Sequence, residues 1–279
     1  MAAELTHNRA YLGENRRLII GRSLVAAAAG ALPIPLVEDW LASRIQRGTI
    51  RKIAESRSVD ADEQAITALA DGSERPPDWA EIAGGTVLYR LLARQWRRLL
   101  VVYLVARRAQ AAARAFLVGS LFDHYCARLH VGMGLDGKRG ALVRALIDRA
   151  IAETPGGLGR RIFRRGALGL ARAGVKAPLK LADAVTGGMV RRLLSKNQEV
   201  DAIQVVDEAI EGELEAKKSF LSRSAAALEL QLAAEANPYV DRLLDTFDRL
   251  WREQESRRTA ARGEQPAREP DDRPPGTEP

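Results

Sequence analysis

Apolar residues recur along the chain at intervals of three and four positions, whereas no long run alternates apolar with polar residues. That spacing is typical of helices that bury one face, so the sequence predicts an all-α protein built from several long amphipathic helices. The first helix is predicted over about 8–29. Pro33 and Pro35 separate it from a second helix that begins near Pro35, because proline is tolerated in a first helical turn but not in a helix interior.

Capping residues, prolines and glycines indicate where the later helices begin and end. A third helix is expected to begin at Asp60, with Glu63 completing a capping box, and to end at Asp71-Gly72. Asn237 and Pro238 are expected to cap and open the last helix. The longest apolar-rich stretch covers about 87–129. Further helices are predicted at about 141–152, 159–173, 178–196 and 200–235.

The predicted helical body covers residues 1–258. Segments rich in proline and glycine near 73–85 and 154–159 are candidate points of subdivision. Residues 259–279 consist mainly of Arg, Glu, Pro, Gly and Asp. Such a composition buries too little apolar surface to offset the entropy of folding, so we predict a disordered C-terminal tail.

Two patterns predict contacts between helices. Ala111, Ala115 and Gly119 recur at four-residue spacing, and small residues at that spacing let another helix approach closely. An apolar seam also runs along the predicted helix 200–235, and its members are Ile203, Val206, Ile210, Leu214, Leu221, Leu228 and Leu232. A seam of this kind faces either a core or a coiled-coil partner, so a homodimer through this helix is one alternative.

The chain also contains a weak internal echo. Pro35 opens a predicted helix that is followed by Val59-Asp60, and Pro178 opens one that is followed by Val200-Asp201. Both helices carry a basic pair between apolar residues near their ends. The spacing drifts by one or two residues, so duplication and chance are both open interpretations.

Two apolar segments, 18–37 and 99–106, raise the question of a membrane. Ser23 to Val37 has fifteen residues without a charge, fewer than the roughly 20 that a spanning helix needs. Leu99 to Ala106 has eight consecutive apolar residues, which leave no polar face over about two helical turns. Each segment is therefore expected to be buried in protein or to lie in a membrane surface, and the pattern alone satisfies both.

Charge is distributed unevenly along the chain. The whole sequence has 43 Lys and Arg against 36 Asp and Glu, a formal net charge of +7. Residues 85–200 hold 22 basic and 6 acidic side chains, whereas residues 201–279 hold 11 basic and 18 acidic ones. Either the acidic third neutralises the basic third, or the basic third faces an anionic partner such as lipid headgroups or nucleic acid.

Two arginine clusters in the basic third are the candidate contacts with an anionic surface. They are Arg90, Arg94, Arg97 and Arg98, which precede the second apolar segment, and Arg160, Arg161, Arg164 and Arg165. Basic residues beside an apolar stretch are typical of helices that lie among lipid headgroups. The sequence has no zinc-finger, RNA-recognition or helix-turn-helix pattern, so nucleic acid is not the expected partner.

One predicted helical face brings together side chains that are capable of chemistry. Asp123, Cys126 and His130 have the spacing i, i+3 and i+7, which places them together on a regular helix, while His124 points elsewhere. A Cys–His pair can bind metal or form a nucleophile. A single helix offers poor tetrahedral geometry, however, and a buried cysteine beside hydrogen-bonded histidines is the commoner arrangement. We therefore predict no catalytic, cofactor or metal site.

A stretch near the N-terminus carries a resemblance to a known family. It runs Ala26-Ala27-Ala28-Ala29-Gly30-Ala31-Leu32-Pro33-Ile34-Pro35 and continues through Ile45 to Ile50-Arg51-Lys52-Ile53-Ala54. This stretch resembles the helical domain of unknown function that follows the GTPase domain of bacterial YcjF-type membrane proteins, and EcsC-type proteins look similar here. The family's Gly-rich continuation is replaced by Ser56-Arg57-Ser58-Val59-Asp60, and no GTPase motif is present. The resemblance implies a bacterial helical protein at or near the cytoplasmic side of a membrane. Without the GTPase motif, it carries over no nucleotide chemistry.

These features predict a non-enzymatic helical protein without a cofactor. We expect it to associate peripherally with the cytoplasmic surface of the inner membrane, as an adaptor or structural component, through its basic and apolar helices. The alternative is a soluble protein–protein interaction module that forms a homodimer through the helix 200–235.

Overall fold

The structure is a computed structural model that describes residues 9–29, 35–72, 97–132, 134–158, 212, 215, 220–233 and 236–263. Of these residues, 81% are helical and 3% are in strands, which confirms the all-α prediction. A 3₁₀ turn at Ala10–Leu12 and a π-helical turn at Tyr125–Leu129 accompany the regular elements. The α-helices and strands are α1 (Gly13–Ala29), α2 (Pro35–Ser56), β1 (Asp60–Ala61), α3 (Glu63–Asp71), α4 (Arg97–His124), β2 (Gly134–Leu135), α5 (Gly137–Glu153), α6 (Phe220–Glu229) and α7 (Pro238–Gly263).

Helix α1 lies at the centre of the described bundle and packs against α2, α4 and α6. Its middle turns are buried on every side, since even Arg22 and Ser23 are covered there along with the apolar residues Ile19, Ile20, Leu24 and Val25. Residues 19–25 of the first apolar segment are therefore buried in protein.

The small residues of α4 produce one close helix contact. A Cβ on Gly119 would lie 2.9 Å from Cγ2 of Ile19 in α1, so a larger side chain would force the two helices apart. Ala115 is half-buried, whereas Ala111 is exposed. The predicted close approach of a helix is confirmed at Gly119 and does not extend along the whole stripe.

Helix α3 begins two residues later than predicted. Asp62, not Asp60, is its N-cap, and its Oδ1 accepts a hydrogen bond from the Ala65 backbone N–H at 2.6 Å. Asp60 instead belongs to β1, which pairs in parallel with β2. That pairing keeps the backbone extended at Asp60, so the next aspartate takes the capping role. The helix ends at Gly72, as predicted, where φ is +68°.

The structure repeats one local unit. β1 leads through Asp62 into α3, and β2 leads through Asp136 into α5, with each aspartate capping its helix. The two helices pack so closely that a Cβ on Gly140 would lie 2.8 Å from Cα of Ala65. This repeat pairs residues 60–71 with 134–153. The echo predicted around Pro178 lies outside the described residues.

The two C-terminal helices pack on different helices of the bundle, α6 on α1 and α7 on α5 and α4. Helix α6 ends at Glu229, earlier than the predicted 235, and packs on α1. Helix α7 begins at Pro238, as predicted, and Oδ1 of Asn237 accepts from the backbone N–H of Tyr239 at 3.2 Å. It runs to Gly263, so the prediction of a disordered tail from residue 259 is wrong for residues 259–263, which are helical. Its buried face contains Val240, Leu243, Leu244, Phe247, Leu250 and Trp251.

Within the described part of the chain, none of the helices combines the length and the apolar character that crossing a bilayer requires. The candidate points of subdivision at 73–85 and the end of the one at 154–159 lie outside the described residues, as do residues 264–279.

Candidate functional site

Most of the predicted anionic-surface arginines lie outside the described residues. Arg97 and Arg98 are the first two residues of α4, and nothing is described of their side chains. The apolar stretch Leu99 to Ala106 forms the next turns of the same helix. The other six arginines lie outside the described residues: Arg90, Arg94, Arg160, Arg161, Arg164 and Arg165.

Asp123, the first residue of the predicted face Asp123, Cys126 and His130, lies at the centre of a buried ion-pair cluster. Its side chain is fully buried. Arg57 binds both of its oxygens, with Nε 2.8 Å from Oδ1 and Nη2 3.2 Å from Oδ2. Nδ2 of Asn15 donates to Oδ1 at 2.7 Å. Two helices, α1 and the end of α2, thus supply the donors that a buried carboxylate requires.

Arg57 also binds the start of the described chain. Its Nη1 donates to Glu14 at 2.6 Å and its Nη2 donates to the Tyr11 carbonyl oxygen at 2.6 Å. The hydrogen bond to Asp123 raises the pKa of Arg57 above its ordinary value, so the guanidinium stays charged. One arginine therefore ties α2 and α4 to the 3₁₀ turn that precedes α1.

His124 points away from Asp123, as predicted, and joins a different set of elements. Its Nδ1 shares a hydrogen bond with the Tyr11 hydroxyl at 2.5 Å, and its Nε2 shares one with Asp248 of α7 at 2.6 Å. Arg9 contacts the same face of α7, with Nε 2.9 Å from Asp241. Burial raises the pKa of Tyr11 above its ordinary value. The imidazole is thus a structural link between the 3₁₀ turn Ala10–Leu12 and α7.

Cys126 is not placed as a nucleophile. Its side chain is buried in the core. Burial raises the pKa of the thiol far above its usual range, and the nearby carboxylate of Asp123 raises it further. Because the thiolate is the reactive species, we expect the thiol to be unreactive in the folded protein.

His130 does not share the face of Asp123 and Cys126, so that prediction is wrong. The π-helical turn Tyr125–Leu129 holds more residues per turn than an α-helix, which rotates the residues beyond it, and the chain is already extended at His130. Its Nδ1 lies 3.1 Å from the Tyr125 hydroxyl. Burial and the neighbouring charge of Arg139 lower the pKa of His130 below its ordinary value.

The side chains of Asp123, Cys126 and His130 therefore do not form one site. Among the described residues there is no group of three or more His, Cys, Asp or Glu side chains that could hold a metal ion. The sequence offered no signal for Asn15 or Arg57, because their role comes only from their distance to Asp123 in space.

A surface cleft at the β1–β2 end is the second arrangement that sequence reasoning missed. It has a volume of about 780 Å³ and lies between the starts of α3 and α5 and the last turns of α7. Its charged lining residues are Asp60, Asp62, Asp136, Lys138, Arg139 and Arg258. Lys138 and Arg139 lie more than 100 residues before Arg258 in the sequence, so no local motif indicates the site.

Comparison with protein-family models, with curated proteins and with solved structures gives no match for this chain.

Proposed function

We propose that this chain is a non-enzymatic helical protein that associates peripherally with an anionic membrane surface, as an adaptor or structural component on the cytoplasmic side. The observation that carries the proposal is the continuity of α4, which runs unbroken for 28 residues from Arg97 to His124. Its second half packs into the bundle, where Ala112 and residues 116–124 are buried. The all-apolar turns Leu99 to Ala106 extend the same rigid helix toward its arginine-rich start.

The arrangement of charge around these turns suits lipid headgroups. Arg97 and Arg98 precede the apolar stretch, and Arg107 and Arg108 come after it. Eight helical residues span about 12 Å. A stretch of that length is too short to cross a bilayer, but it can lie in the headgroup region with arginines reaching phosphates at both ends.

The polar groups of the described core support a non-enzymatic role. Asp123 is bound by Arg57 and Asn15, and His124 is bound by Tyr11 and Asp248. The thiol of Cys126 is buried with a raised pKa. The contacts of Asp123 and His124 link helices to one another, and the buried thiol is held in its unreactive protonated form, which supports a structural role for these groups. The resemblance to YcjF-type and EcsC-type proteins remains a prediction that points the same way.

Vesicle flotation with matched variants tests the proposal. The full chain is expected to float with vesicles of phosphatidylglycerol in phosphatidylcholine and to stay behind with phosphatidylcholine alone. Neutralising Arg160, Arg161, Arg164 and Arg165 to Gln should abolish flotation. The control neutralises Arg114, Arg149, Arg242 and Arg252 to Gln, which removes the same charge from exposed positions of the described helices. No flotation of the parent protein, or equal losses in both variants, would contradict the assignment.

The homodimer alternative depends on residues before Phe220. Within the described part of the helix 200–235, the seam residues Leu228 and Leu232 are buried, and the helix packs on α1 of the same chain. They are therefore unavailable to a second copy without unfolding α6 from the bundle. A dimer in light scattering at tens of micromolar, a range set by ordinary micromolar affinities, would favour a seam built from Ile203, Val206, Ile210 and Leu214.

A further inference from the structure

The cleft at the β1–β2 end contains an arginine that is held in place before any ligand arrives. Nε of Arg139 donates to the Tyr125 hydroxyl at 2.9 Å. The guanidinium also lies over the ring of Trp251, 5.9 Å from its centroid. Among the described residues no carboxylate pairs with this guanidinium. Its orientation is fixed through Nε, and its two terminal nitrogens keep their hydrogen-bonding capacity.

Two more cations line the same cleft without an ion-pair partner among the described residues. Lys138 is the neighbour of Arg139 in the first turn of α5, and Arg258 projects from the last turns of α7. Both side chains are exposed. Arg149 and Arg249 of the same two helices are, in contrast, both paired with Glu153. The three cations of the cleft are thus available to an external anion.

The carboxylates of the cleft are largely engaged locally. Oδ1 of Asp62 accepts from Ala65 N–H, and Oδ1 of Asp136 accepts from Arg139 N–H at 2.7 Å. Each therefore faces a helix start, where the helix dipole contributes about half a positive charge. The three aspartates balance the three cations in formal charge, and the partial positive charges of the two helix starts come in addition.

An exposed apolar side chain lies close to this cleft. Val131 is 80% exposed and precedes Gly134, which lines the cleft, by three residues. Three residues of chain span at most about 11 Å. An apolar side chain beside an anion site is the arrangement expected where a headgroup is bound and its acyl chains lie next to it.

We propose that the cleft between α3, α5 and α7 binds the phosphate group of an anionic lipid headgroup. The guanidinium of Arg139, already held in place, binds the phosphate, and Lys138 and Arg258 add positive charge beside it. The proposal rests on the proposed membrane association and adds a specific site to it. The planar guanidinium supplies two parallel N–H donors to a phosphate, and the ammonium of Lys138 adds a point charge.

The test uses the full chain, one soluble probe and one vesicle. The soluble probe is glycerophosphoglycerol, which is the headgroup of phosphatidylglycerol without acyl chains. Its binding is followed by NMR on the Arg139 Nε–H signal, since the hydrogen bond to Tyr125 holds that proton. Vesicles of phosphatidylglycerol in phosphatidylcholine are followed by flotation. The variant is Lys138→Gln with Arg258→Gln, and the control is Arg114→Gln with Arg149→Gln, which removes equal charge from exposed ion-paired positions.

In the parent protein we expect a saturable shift of the Arg139 signal. The Lys138→Gln/Arg258→Gln variant should bind the soluble probe about tenfold more weakly, which corresponds to about 1.4 kcal/mol, and should lose vesicle binding to a matching extent. The control variant should bind like the parent. Arg139→Lys should also weaken vesicle binding in the flotation assay, because an ammonium cannot supply two parallel donors.

Two results would overturn the inference, and they are distinguishable. Vesicle binding that is equal in parent and variant, without a saturable shift by the soluble probe, would remove the headgroup site and leave the membrane association standing. A saturable shift in a protein that binds no vesicles would assign the cleft to a soluble phosphate ester and would overturn the lipid source together with the proposed function.

Discussion

Arg57 and Asp123 form a two-point ion pair that joins the end of α2 to the end of α4. The partners are 66 residues apart in sequence, with Nε 2.8 Å from Oδ1. The aspartate side chain is fully buried, and the arginine side chain is 11% exposed. Because the same arginine also binds Glu14 and the Tyr11 carbonyl, this pair determines how three helices and the described chain start meet.

Removing the arginine of this pair should destabilise the protein strongly. Arg57→Ala leaves the Asp123 charge buried without its partner, and such losses cost about 3–5 kcal/mol. The free energy of unfolding in urea measures the effect. Arg51→Ala is the control, because Arg51 is an α2 arginine that pairs with an exposed Glu63. Its loss should cost no more than about 1 kcal/mol, and equal losses at both positions would contradict the role given to Asp123.

The close packing of α3 and α5 predicts a cost for one added methyl group. Gly140→Ala would place a Cβ 2.8 Å from the backbone Cα of Ala65, which cannot move aside without displacing α3. We expect a loss of about 1–3 kcal/mol in the free energy of unfolding. Gly13→Ala is the matched control, since a Cβ there meets nothing within 4 Å. If Gly140→Ala were as stable as Gly13→Ala, the helices would not pack as closely as described.

His130 should make the stability depend on pH in the mildly acidic range. Its pKa in the folded protein is lowered, whereas the unfolded chain has the ordinary value of about 6.5. Between these two values the unfolded state binds more protons, so stability rises with pH there. The contribution is complete above about pH 6.5 and is lost as the pH falls through the folded value.

Urea unfolding at about pH 7.5 and about pH 5.5, on either side of that ordinary value, measures this dependence. The parent protein is expected to lose more stability on acidification than His130→Gln does. The same loss in both proteins would mean that other groups cause it.

Cys126 should be unreactive toward thiol reagents until the protein unfolds. Its side chain is buried and its thiol pKa is raised, so the native protein presents neither access nor thiolate. Labelling with a chromogenic disulfide reagent is expected to track the urea unfolding curve. Rapid labelling in buffer would show an open path to the thiol, and would reopen the question of a functional cysteine.

Sequence reasoning succeeded where the governing interaction lies within a few residues along the chain. Pro35 begins α2 and Asn237 caps α7, as predicted, because a missing N–H or an available side-chain oxygen acts on the adjacent turn. It was off by two residues at Asp60, where pairing with Gly134 overrides a locally reasonable cap. It also misplaced His130, because nothing local shows that the helix relaxes into a π-turn at Tyr125.

By itself, the sequence determined that this protein is helical, where several helices begin, and which apolar residues become buried. These features follow from hydrophobic periodicity and capping, which are short-range properties. Only the tertiary structure decided what those residues meet. It buried Ile19 and Ile20 in protein, paired Arg57 with Asp123, and brought Arg139 and Arg258 to one cleft. Partner choice at such distances depends on how helices pack, and an apolar or charged pattern is compatible with many packings until one set of side chains fills the same space.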